Sequence, residues 1–113
     1  MTKGLMAAST KPLILTILSR GKNYGYDIIQ EVKSVSGGEL LWSDGMLYPV
    51  LHKLESEKMI SSEWIEKDDR KRKYYKLTEK GRKELIKEKE AWISVHNTLM
   101  RFWELPEMKI SIK

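Results

Sequence analysis

The sequence predicts a mainly α chain with a small β-hairpin wing, a winged helix-turn-helix followed by a long C-terminal dimerisation helix. Three observations carry this expectation. Leu47, Val50, Leu51 and Leu54 fall at i, i+3, i+4 and i+7, which makes one apolar stripe on a helix. A strand, a short turn and a second, strongly basic strand follow at once. Beyond them, Leu85, Trp92 and Leu99 repeat at seven residues, as do Ile86, Ile93 and Met100. The expected division is 1–78 for the winged helix-turn-helix, 79–105 for the C-terminal dimerisation helix and 106–113 for a short tail.

The first helix is expected from about Thr10, or somewhat earlier, to Ser19. Its apolar run is Leu13, Ile14, Leu15, Ile17 and Leu18, with Pro12 near the first turn, where its missing N–H costs nothing, and Gly21 as the stop. Asn23 reads as the N-cap of a second helix running to about Ser36, with Ile28, Val32 and Val35 as its buried stripe and Gly37-Gly38 as its end. Ser43 caps the third helix, which continues to about Lys58, and Asp44 suits the positive end of its dipole. Pro49 leaves two readings open: a bend that sets the angle of the exposed surface, or a helix that starts late enough to put the proline in its first turn.

The opposite side of the third helix presents Gly45, Pro49, His52 and Ser56, flanked by Tyr48 and Lys53. An apolar back, an uncharged front with small residues and an adjoining basic hairpin suit insertion into a DNA groove while the hairpin holds phosphate. The hairpin runs from Ile60 through Asp68-Asp69-Arg70 to Leu77, with Tyr75 and Leu77 on one face and Arg72, Tyr74 and Lys76 on the other. Thr78 caps the last helix. If that helix continues to Glu104 it spans about 40 Å, longer than a domain of this size is wide. A homodimer needs only one self-complementary patch to cover the excess.

Charge sharpens the picture. The 113 residues carry 21 Lys and Arg against 16 Asp and Glu, a net +5. The window from Lys67 to Lys83 holds nine basic and three acidic residues, so the charge is concentrated in the wing and the turn after it. The chain has no cysteine, which excludes disulfide and thiolate chemistry and fits a reducing, cytoplasmic setting. No run is long and apolar enough to span a bilayer, and no membrane partner is expected. Two separated histidines, no glycine-rich phosphate loop and no nucleophile paired with a base leave enzyme chemistry, metals and cofactors without a constellation.

Three motifs resemble the PadR family of bacterial winged-helix transcriptional regulators. They are Asn23-Tyr24-Gly25-Tyr26, the run Met46-Leu47-Tyr48-Pro49-Val50-Leu51-His52-Lys53-Leu54-Glu55, and the run Arg72-Lys73-Tyr74-Tyr75-Lys76-Leu77-Thr78-Glu79-Lys80-Gly81. The resemblance runs from about Leu5 to Trp103, with the three motifs in family order and spacing. The resemblance implies a homodimeric repressor on a two-fold, double-stranded operator, with the third helix in the major groove and the wing near the minor groove. The single long last helix is similar to that of the short members, several of which sense small aromatic or cationic drug-like compounds at the dimer interface. Met46 stands where many members have threonine, and the short wing lacks their usual glycines.

The DNA-contacting candidates are Ser43, Gly45, Tyr48, Pro49, His52 and Lys53 on the helix and Arg70, Lys71, Arg72 and Lys73 on the wing. Tyr24 resembles a family phosphate contact, and a tyrosine wedged between helices is the equal alternative. Trp92 is the candidate for stacking a planar aromatic effector, paired across the two-fold, with His96 orienting the ligand. Both residues also suit plain dimer core. The expected interface comprises Leu85, Ile86, Trp92, Ile93, His96, Leu99, Met100 and Trp103. The competing functional class is an interaction module whose basic wing serves a protein or membrane partner.

Overall fold

The computed structural model describes residues 2–104, so the tail expected at 106–113 lies outside the described residues. The order of elements is α1 (Lys3–Ser19), β1 (Asn23–Tyr24), α2 (Gly25–Val35), α3 (Asp44–Ser56), β2 (Ile60–Lys67), β3 (Arg70–Leu77) and α4 (Glu79–Trp103). This is a winged helix with a long C-terminal helix, as the sequence predicts.

Helix α1 starts seven residues before Thr10. Thr2 provides the cap, its side chain accepting from the Leu5 N–H at 3.2 Å, and Pro12 lies inside the helix rather than in its first turn. Downstream of that missing donor the helix buries Ile14, Leu15, Ile17 and Leu18. Helix α2 ends in a Schellman turn: Gly37 takes φ +64°, Gly37 N–H bonds Ser34 O and Gly38 N–H bonds Lys33 O. Its stripe stops at Val32. Val35, expected inside, is 80% exposed on the last helical residue.

Asn23 departs from its expected role. It does not cap α2; with Tyr24 it forms a short third strand, paired as Asn23 with Tyr75 and Tyr24 with Tyr74. Its side chain accepts from the Tyr24 N–H and donates to Asp27 Oδ2, at 2.9 and 2.8 Å, which fixes the entry into α2 from outside. The sheet order is therefore β1-β3-β2.

Ser43 caps α3, accepting from the Met46 N–H at 3.2 Å. Leu47, Leu51 and Leu54 are buried and Val50 packs against them. The helix stops at Ser56, two residues short of the expected Lys58, because Lys58 takes φ +67° and closes a second Schellman turn, with Met59 N–H bonded to Leu54 O at 2.9 Å.

The hairpin β2–β3 keeps full register from Ile60 opposite Leu77 to Lys67 opposite Arg70. Asp68 and Asp69, at φ +53° and +61°, make a two-residue turn with positive φ at both centres, the twist a tight hairpin requires. Ile60, Tyr75 and Leu77 bury one face of the sheet against the helices.

The start of α4 is locked onto this sheet. Thr78 Oγ1 accepts from the Gly81 N–H and donates to the Lys58 carbonyl. Gly81 lies so close to the Met59 carbonyl and the Leu77 side chain that a Cβ would collide with both. Leu85 is buried in the chain's own core, and Lys11 of α1 pairs with Glu84 at 2.6 Å. From Lys89 onward every described residue of α4 is exposed. The protruding helix stretches the molecule to 63 × 29 × 21 Å with a radius of gyration of 17.3 Å, where a compact chain of this length would have about 13 Å.

Candidate nucleic-acid interface

Between the N-terminus of α2, the front of α3 and the wing lies an open groove of about 630 Å³. Its walls follow from the elements just described. Strand β1 pairs only with Tyr74 and Tyr75, so the edge of β3 from Arg70 to Lys73 has no strand neighbour on that side. A basic edge resists pairing with another strand and faces the groove instead.

The groove brings together seven of the expected contacts: Tyr24, Tyr48, His52, Arg70, Lys71, Arg72 and Lys73. Tyr24 is not wedged between helices. Its ring meets Tyr74 edge-on at 5.2 Å, and the Arg72 guanidinium sits 4.5 Å from its centroid. Stacking on the ring holds Arg72 at the groove with its N–H donors free for an anion. Tyr48 is half-buried, its hydroxyl occupying the space where a Cβ of Gly25 would lie, so it fixes the angle between α2 and α3 from inside the groove. His52 is exposed one turn further along α3.

Four expected contacts are exposed yet lie outside the groove walls: Ser43, Gly45, Pro49 and Lys53. Ser43 Oγ is engaged as the α3 cap. Helix α3 begins at Asp44, so Pro49 is in its second turn and the late-start reading is excluded. Having no N–H, Pro49 leaves the Gly45 carbonyl without its helical donor on the exposed front. Lys53 lines a separate crevice with Lys11 and Glu57, between α1 and α3.

Four groove residues were missed from the sequence: Gly25 and Tyr75, which are buried, and Tyr26 and Trp64, which are 66% and 64% exposed. For Trp64 the signal was alternation: it shares a sheet face with Tyr75, but lies further along the wing than the core reaches. Tyr75 itself is buried, and burial pushes its hydroxyl above the ordinary tyrosine range, so it stays neutral.

Trp92 and His96 sit one turn apart on the exposed part of α4, Trp92 at 37% exposure. Ile86, Ile93, Leu99, Met100 and Trp103 of the expected seam are exposed on the same helix, whereas Leu85 is already used by the protomer's own core. Among the described residues, no three His, Cys, Asp or Glu side chains are grouped to hold a metal, and no helix is long and apolar enough to cross a membrane.

A groove-facing helix with a basic wing defines the chain as a winged-helix DNA-binding protein. A model of the transcriptional regulator PadR-like family matches residues 14–87. The chain belongs to this family, and is a transcriptional regulator rather than an enzyme. An uncharacterized protein of Lysinibacillus sphaericus is 31% identical over 96 residues, covering 81% of this chain and 85% of that protein. Transcriptional regulator YqjI of Escherichia coli is 33% identical over 69 residues; the match covers 61% of this chain and only 32% of that longer protein. Among solved structures, a PadR-like transcriptional regulator of Bacillus cereus superposes with a TM-score of 0.82 at 28% identity, covering 92% of this chain and 100% of the other.

Proposed function

We propose that the chain is a homodimeric repressor that binds a two-fold operator through α3 and the wing, and leaves it when a planar aromatic compound binds between the α4 helices. The observation that carries the dimer is the apolar surface of α4 beyond the core. Ile86, Trp92, Ile93, Leu99, Met100 and Trp103 are all exposed, more than a small protein leaves to water. In this reading residues 79–88 serve both the DNA-binding unit and the dimerisation helix, since Gly81 and Leu85 belong to the core.

Two copies joined along α4 hold two α3 helices at a fixed separation, and adjacent half-sites require about 34 Å, one turn of DNA. A ligand stacked between Trp92 and its symmetry mate, oriented by His96, changes the angle between protomers and with it that separation. Binding then switches off without any change inside the DNA-binding unit. The test titrates planar cationic dyes and small phenolic acids into the wild type and Trp92→Phe while following tryptophan fluorescence and operator binding. Saturable quenching that is lost in Trp92→Phe, together with operator release in the wild type, is expected. Equal operator affinity with and without saturating ligand overturns the effector part of the proposal.

A further inference from the structure

We propose that Trp64 is a DNA-backbone contact: its indole packs against a deoxyribose while Nε1–H donates to the neighbouring phosphate, setting how closely the wing approaches the duplex. A large aromatic in the middle of an eight-residue strand is normally covered, yet Trp64 is 64% exposed. Its placement explains why. On the face that carries Ile60 and Tyr75 into the core, Trp64 lies beyond Ser62 along β2, opposite Lys73, and Glu66 opposite Lys71 follows it. It therefore overhangs the groove, with His52 and Tyr48 among the groove's other linings and the strip from Arg70 to Lys73 beside it. An apolar plane with one donor at its rim, set in a cationic groove, matches a polymer that alternates apolar sugar with anionic phosphate. A protein partner with an acidic surface would match the cations, but it lacks that alternation.

The inference rests on the groove being the DNA face, and the experiment separates the two. The probe is a duplex selected by the wild-type protein from a random-sequence library. Failure of the wild type to select any duplex, or equal binding by the wild type and Lys71→Ala, removes the DNA reading itself. With that reading intact, Trp64→Ala is expected to bind the selected duplex about tenfold more weakly and Trp64→Phe about threefold. Thermal melting should be unchanged, because the side chain is mostly exposed. The salt dependence should be unaltered, because the change removes no Lys or Arg contact to phosphate and so alters no counterion release. In the wild type the duplex should also shield one exposed tryptophan from acrylamide, and that shielding should vanish in Trp64→Phe. Trp64→Ala binding within twofold of the wild type overturns the proposal. A loss accompanied by a shallower salt dependence overturns it as well, since the effect would then act through Lys73.

Discussion

The Tyr48 hydroxyl fills the space that a side chain at Gly25 would need. This contact ties the first turn of α2 to the groove-facing side of α3, and it gives the glycine between two tyrosines a steric reason. Gly25→Ala gains helix propensity, worth up to about 1 kcal/mol, but must displace a half-buried phenol ring. Such overpacking costs about 1–3 kcal/mol. The net expectation is a loss of about 1 kcal/mol in urea unfolding and weaker DNA binding. Tyr48→Phe should recover part of the stability loss in a double-mutant cycle, because it removes the nearest of the colliding atoms.

At Gly81 the obstruction is more rigid, since the closest atom is the Met59 carbonyl of the backbone. Gly81→Ala should therefore destabilise by about 3 kcal/mol, measured by the same unfolding experiment. A loss below about 1 kcal/mol would mean that α4 shifts easily on the sheet.

The Lys11–Glu84 pair ties α1 to α4 at 2.6 Å and sets a pH window. The hydrogen bond from Lys11 holds the Glu84 carboxyl below the ordinary glutamate range, and the same bond raises Lys11. A lowered carboxyl contributes stability above its unfolded value of ~4.3 and loses it as the pH falls through the folded value. A raised lysine contributes below its unfolded ~10.4 and loses it as the pH rises through its folded value. Both side chains keep some solvent contact, so Glu84→Gln should cost about 0.5–1 kcal/mol at neutral pH. The difference from the wild type should vanish in acid, as followed by denaturant midpoints across pH.

In the groove, the two kinds of contact should separate. Lys71→Ala should weaken binding to all sequences and lower the salt slope by about one unit, whereas His52→Ala should relax sequence preference. Arg72→Lys should behave as a loss rather than a conservative change, because the stacked guanidinium plane over Tyr24 cannot be rebuilt by an ammonium. Competition assays between selected and random duplexes at several salt concentrations report all three.

Much of this arrangement was legible in the residues, because it rests on local periodicity and capping. The stripe of Leu47, Leu51 and Leu54, the Ser43 and Thr78 caps and the Asp68-Asp69 turn each have a signature within a few positions. Strand β1 had none: two residues carry no alternation, and Asn23 uses its side chain in a way that resembles capping without being a cap. The early start of α1 was hidden because Pro12 reads most simply as a first-turn proline. Val35 continued the apolar spacing of α2 past the point where any neighbour remained to cover it. Trp64 lies on the face of β2 that carries Ile60, but only the length of the wing beyond the core turns that face into a groove wall.

The most direct test of the account is the solution mass of the chain by sedimentation, alone and bound to its selected duplex, for the wild type and Ile93→Asp. Ile93 is 58% exposed in the protomer, so the change should leave its fold intact. The account predicts a wild-type mass of twice 13.3 kDa, two chains per duplex, and a folded Ile93→Asp monomer with much weaker binding. A wild type that sediments as one chain at working concentrations, or an Ile93→Asp variant that stays dimeric, would contradict it.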